Sequence, residues 1–212
     1  MELVAVGLAI ETGFVGWFFG RNPTEAQPVK DQRIVQLFEQ MKFRMGMDQE
    51  SIYLRETDNL TTAYATGLIC CGLSGQVTFS KKWIEGKSDA EISAVFAHEL
   101  SHLKHYDVIR FNLVLFTTQL VIAVALSVLF SISLPVCLML GFVAGYLMTF
   151  LGFSHYMEFH AEEETAKVLD NAELLHYINY HGGGLEDHSN WSHPNSIRVV
   201  KMLRQELNSR AV

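Results

Sequence analysis

Cysteine, proline and basic charge are all scarce in this chain of 212 residues. Of the three cysteines, Cys70 and Cys71 are adjacent and Cys137 lies inside an apolar run, so neither a C-x-x-C metal pair nor an even disulfide framework is available. A reducing compartment is the simplest setting. A formal net charge of −7 removes the basic footprint that phosphate neutralisation needs, which excludes nucleic acid as a partner. The length fits one ordinary domain, or a compact catalytic unit with a few membrane spans.

The most informative absence is local. From Phe111 to Phe153 there is no Lys, Arg, Asp or Glu. At 1.5 Å rise per residue, that run is long enough to cross a hydrocarbon core of about 30 Å twice. Pro135, after Ser131-Ile132-Ser133-Leu134, marks the turn, predicting a helical hairpin of roughly Phe111 to Phe130 and Leu134 to Phe153. A second apolar stretch, Leu3 to Gly20, is broken only by Glu11 and Thr12 and lacks the basic start and cleavage site of a signal peptide. It reads as an uncleaved N-terminal anchor, with a buried or interfacial helix as the alternative that Glu11 keeps open.

Every Lys and Arg falls in two blocks, Arg21 to Arg110 and Lys167 to Arg210. The positive-inside rule assigns both blocks to the cytoplasm, which three spans satisfy. The expected organisation is an anchor at 1–20, a first catalytic part at 21–110, the hairpin at 111–153 and a second catalytic part at 154–212.

Within the polar blocks, Ile34, Leu37, Phe38 and Met41 share one face of a helix predicted from Asp31 to Met45. Ser51 to Arg55, Thr61 to Thr66 and Gln76 to Ser80 read as short strands. Ser88-Asp89-Ala90-Glu91 is a capping box that opens a helix running through His98 and His102. A further helix begins near Ser154, Gly182-Gly183-Gly184 breaks the chain, and a last helix starts at about Pro194.

His98-Glu99-Leu100-Ser101-His102 is an H-E-x-x-H sequence. On a helix it sets two imidazoles one turn apart on one face, as a catalytic zinc with three protein ligands and an open position for water requires. Glu99 then stands beside that water as general base. Helical periodicity leaves both Glu158 and Glu162 open as the third ligand, since they lie one turn apart on one face. His105, His155 and His160 are expected near the site or on the surface, because three protein ligands complete it.

These residues, with their order and spacing, resemble the integral-membrane zinc metallopeptidases that include HtpX and the CAAX prenyl proteases. The resemblance runs from about Thr61 onward, through Thr62-Ala63-Tyr64-Ala65-Thr66-Gly67, Ala97 to His102 with Asp107 downstream, Phe153-Ser154, Glu158-Phe159-His160-Ala161 and Ser192-His193-Pro194. It implies an α+β but mainly α fold: a gluzincin-like catalytic domain with a small edge sheet, and about three transmembrane helices, the hairpin lying between the two zinc-binding helices. It implies one Zn2+ per chain, held by His98, His102 and Glu158, with Glu162 supporting a ligand histidine and His193 donating to the oxyanion. Ala63, Tyr64, Ala65 and Thr66 match the strand on which an extended substrate pairs. The chain departs from the family pattern at Thr62, at His155, at Glu162 where aspartate is usual, and in having one N-terminal span rather than two.

The function so implied is a metalloendopeptidase of the cell membrane, multi-pass, with its site facing the cytoplasm. Its partners are the lipid bilayer and polypeptide substrates, membrane proteins among them. A specific processing peptidase of the CAAX type and an inactive relative that binds partners are the alternatives.

Overall fold

The computed structural model describes residues 26–58, 63–67, 69, 74–130, 133–182 and 196–210. The expected anchor at 3–20, the start of the strand expected at Thr61 to Thr66, and His193 lie outside the described residues. The chain divides into two compact units, one holding residues 108–155 and the other 23–107 with 156–212.

The larger unit is built on a four-stranded mixed sheet. Its strands are β1 (Gln27–Pro28), β2 (Ile52–Thr57), β3 (Ala63–Gly67) and β4 (Gly75–Ser80), in the order β1-β2-β4-β3. β2 and β4 pair in parallel, while β3 pairs antiparallel to β4 with Ala65 opposite Val77. β3 therefore forms one edge of the sheet. It ends at Gly67, whose positive φ and approach to the Ser74 carbonyl leave no room for a Cβ.

Helices α1 (Gln32–Arg44) and α3 (Asp89–Lys104) follow the expected pattern, with a short α2 (Lys81–Ile84), not expected from the sequence, between β4 and α3. Asp31 caps α1 through the Arg33 N–H. At α3 the Glu91 N–H donates to Ser88 Oγ at 3.3 Å and the Ser88 N–H to Glu91 Oε2 at 2.9 Å, the reciprocal box the sequence announces. Ile92, Phe96, Leu100 and Leu103 recur at helical spacing and bury the core face of α3. Phe96 sits edge-on to Phe38 of α1 at 5.4 Å and 5.9 Å from Phe79 of β4, tying helix, helix and sheet together. Each such side chain contributes about 1.5–3 kcal/mol on burial.

Three more helices complete this unit: α6 (Ser154–Val168), α7 (Asn171–Gly182) and α8 (Ser196–Ser209). Between α6 and α7 the chain breaks at Asp170, where a second reciprocal box forms with Glu173, both hydrogen bonds 2.8 Å long. The sequence reading ran one helix to the glycines and passed over this Asp-x-x-Glu signal. Leu174 and Ile178 of α7 and Leu203 of α8 close the core.

The smaller unit is the apolar pair α4 (Asp107–Phe130) and α5 (Leu134–Met148), with Pro135 in the first turn of α5. Both helices are long and apolar enough to cross a bilayer, α5 together with its continuation. A Cβ at Gly141 would meet the Gln119 carbonyl at 2.7 Å, and one at Gly145 the Gln119 nitrogen at 3.1 Å. The spacing of small residues lets α5 lie backbone to backbone against α4. Outward from that seam, Leu113, Phe116, Val128, Leu129 and Phe130 are exposed.

One boundary differs from expectation. Rather than ending at Phe153 before a new helix, α5 passes through a π-helical stretch (Thr149–Phe153) directly into α6. No proline stands there to stop it, and Thr149 and Ser154 both keep helical dihedrals.

Candidate metal centre

α3 and α6 bring His98, His102 and Glu158 together. The two imidazole Nε2 atoms are 3.1 Å apart. Glu158 Oε2 lies 3.3 Å from His98 Nε2, and Glu158 Oε1 lies 3.6 Å from His102 Nε2. Ligands bonded at about 2.0–2.1 Å in a tetrahedron stand about 3.3 Å from one another, so the three side chains fit a single divalent ion.

The far ring nitrogens have their own partners. His102 Nδ1 donates to Asp107 Oδ2 at 2.8 Å, and because a carboxylate only accepts, this bond keeps the proton on Nδ1 and leaves Nε2 with its lone pair inward. His98 Nδ1 faces Glu162 Oε1 at 3.4 Å, a charge contact rather than an aligned hydrogen bond. Glu162 is thus set behind His98, on the opposite ring edge from Glu158.

Glu162 is itself buried and held. Tyr177 of α7 donates its hydroxyl to Glu162 Oε2 at 2.7 Å, and His181 Nε2 lies 3.6 Å from Oε1. Burial, then the neighbouring Glu162 carboxylate, push the Tyr177 pKa well above its usual value, so this hydroxyl stays a donor. Glu99, on the same helix as both histidines, is also buried.

The charge balance calls for a cation. Burial disfavours a proton on His98, but the Glu162, Glu158 and Glu99 carboxylates outweigh it and push its pKa up to about 10. The same field that retains this proton would hold a divalent ion.

Of the residues singled out from sequence, His98, Glu99, His102, Glu158 and Glu162 converge within this unit, and Ala63, Tyr64, Ala65 and Thr66 lie on edge strand β3. Three partners escaped the reading. Asp107 was noted only as part of a motif, although its place five residues beyond His102, just past the helix end, was a usable signal. Tyr177 and His181 had none, because they meet Glu162 only through the packing of α7.

Comparison with known proteins gives the family of the chain. The chain is similar to a protease HtpX homologue of Bacteroides fragilis, 36% identical over 89 residues, and to that of strain YCH46 of the same species, 35% identical over 89 residues. Each match covers 42% of this chain and 26% of the relative, so the chain spans about a quarter of the length of these curated relatives. The crystal structure of S. mikatae Ste24p shares the fold with a TM-score of 0.60 at 16% identity, over 95% of this chain and 58% of the other. A model of peptidase family M48 matches residues 28–207, a span that includes both histidines, Glu99, Glu158 and Glu162. The chain belongs to peptidase family M48.

Proposed function

We propose that this protein is a membrane-embedded zinc metalloendopeptidase with a gluzincin-like catalytic domain. His98, His102 and Glu158 hold the metal and Glu99 is the general base. The observation that carries the reading is that the two Nε2 atoms stand 3.1 Å apart and each lies 3.3 or 3.6 Å from one of the Glu158 oxygens, with Glu99 on the same helix as both histidines. A zinc ion held there supplies Lewis acidity to the scissile carbonyl and makes water a nucleophile at neutral pH.

The chain's own residues do the rest. Glu99 accepts the proton of the attacking water as the new C–O bond forms, then returns a proton to the amide nitrogen as the C–N bond breaks. Asp107 and Glu162 orient the two imidazoles, and Tyr177 fixes Glu162. An extended peptide runs along β3, the last strand of the sheet, at Ala63, Tyr64, Ala65 and Thr66, and its main chain pairs as a further strand. His193 is the proposed donor to the carbonyl oxygen as it gains charge.

The exposed apolar faces of α4 and α5 support a bilayer as their surroundings, and the apolar run from Leu3 to Gly20 is the proposed third span. The two Lys- and Arg-bearing blocks then face the cytoplasm, and substrates are membrane proteins or their exposed loops. Cysteine labelling of intact cells and inverted vesicles tests this, and opposite accessibility of the two blocks refutes it.

The decisive experiment is Glu99→Gln in the full chain, purified in detergent. It should keep its metal and lose turnover by at least about 100- to 10,000-fold. A metal-loaded variant that still cleaves peptide would remove Glu99 from the reaction.

A further inference from the structure

The same two helices carry a second cluster, on the next turn of α3. His105 is the C-cap of α3, and His160 and Glu164 sit one turn apart on α6. One ligand atom from each of the three lies within 4.8 Å of the other two. His105 and His160 meet edge to face with ring centroids 4.4 Å apart, and His105 Nε2 is 3.9 Å from Glu164 Oε2.

From this geometry we propose that His105, His160 and Glu164 form a second binding site for a divalent transition metal of the zinc class, separate from the catalytic one. Two imidazoles and one carboxylate are the donors that zinc and its neighbours select, and three protein ligands leave a position for water. Two further features favour a cation. The carbonyl end of α3 carries the negative end of its helix dipole, and His105 closes that end. His160 and Glu164 also share the i, i+4 spacing that sets two donors on one helix face.

The surroundings also limit the affinity. Lys167 Nζ holds Glu164 Oε1 at 2.9 Å and Lys104 Nζ stands 4.0 Å from Oε2. The arriving metal takes Oε2 and competes with two ammonium groups for that carboxylate, and His105 Nε2 and Glu164 Oε2 must also close from 3.9 Å to the roughly 3.3 Å that one shared ion imposes. The site is therefore the weaker of the two. Filled, it clips the last turn of α3 to the middle of α6, so the metal binds as a structural brace beside the catalytic residues.

The test uses the full chain in detergent, stripped of metal and titrated with Co2+, whose visible absorption reports coordination by protein ligands. The wild type should bind two equivalents, one tight and one weak. His160→Gln and Glu164→Gln should each lose only the weak equivalent while keeping the tight one and the peptidase activity measured with one metal. His98→Ala should keep the weak one. Lys167→Gln should tighten the weak site several-fold by freeing Glu164. A single equivalent in the wild type, or a weak equivalent that survives both the His160 and the Glu164 variants, overturns the proposal. Retention of the tight equivalent shows that a variant is folded, and its separate loss in His98→Ala keeps failure here distinct from failure of the catalytic assignment.

Discussion

The two histidine and glutamate clusters stand on the same pair of helices and use the same residue types, yet they differ in what lies behind them. Around His98 and His102 the backing groups are acceptors: Asp107 on one ring, Glu162 on the other, with Tyr177 fixing Glu162 in turn. Around Glu164 they are ammonium groups. The backing acceptors fix the tautomer and raise basicity, whereas the lysines draw the carboxylate away from a metal. Equal ligand sets should therefore give unequal affinities, and the comparison can be broken at the ligands, at the protons or at the supporting hydroxyl.

The largest effect is expected at the ligands. Glu158→Ala removes an atom within 3.3 Å of His98 Nε2, so this variant should purify largely without metal. Glu162→Ala removes a carboxylate that reaches only the far nitrogen of that ring, and should keep most of its metal with affinity or activity lowered about 10- to 100-fold. Elemental analysis of the two purified variants decides between them. The reverse pattern would make Glu162 the ligand.

Protons come next. With its pKa raised from 6.5 to about 10, His98 is protonated in the metal-free protein at neutral pH. The stabilisation this proton gives the metal-free fold is complete below about pH 6.5 and is lost as pH rises through about 10. A metal binds the neutral ring, so uptake at pH 8 should release about one proton, and apparent affinity should rise about tenfold per pH unit below 10. Calorimetry in buffers of different ionisation enthalpy measures the release. No proton release at the first cluster would mean that its carboxylates do not hold this charge.

How much of this was legible from the chain follows the same division between local and distant. The histidine pair His98 and His102, the Ser88 box, the apolar hairpin and the strand expected at Thr61 to Thr66 are written in short spacings that physics reads directly, whereas the place of that strand at the sheet edge came with the family resemblance. Glu158 against Glu162 was not readable from spacing, because both occupy one helix face, and only their different ring nitrogens separate them in space. The support from Tyr177 and the meeting of His105 with His160 were hidden for a simpler reason. Each contact joins two different helices, and no periodicity encodes which turn of α7 or α3 meets which turn of α6. The uninterrupted passage of α5 into α6 was missed because a charge boundary at Phe153 resembles a structural one.

The smallest expected effect lies at that hidden hydroxyl. Tyr177→Phe preserves the buried ring and its packing and deletes only the donor to Glu162 Oε2. A hydrogen bond to a charged group contributes about 1.5–3 kcal/mol, and its loss leaves a buried carboxylate with one partner fewer. Most of that cost should fall on stability, lowering the melting temperature of the protein, because Glu162 still faces His98 and His181. The part transmitted to the metal passes through Glu162 to the far side of one ligand ring. We therefore expect metal content to stay near that of the wild type and kcat/KM to fall less than about 10-fold, the lower end of what loss of a supporting carboxylate costs. Metal analysis, a thermal melt and steady-state cleavage of one peptide separate the two contributions. A loss of turnover equal to that of Glu162→Ala, with metal and stability unchanged, would place Tyr177 in contact with the substrate instead of behind Glu162.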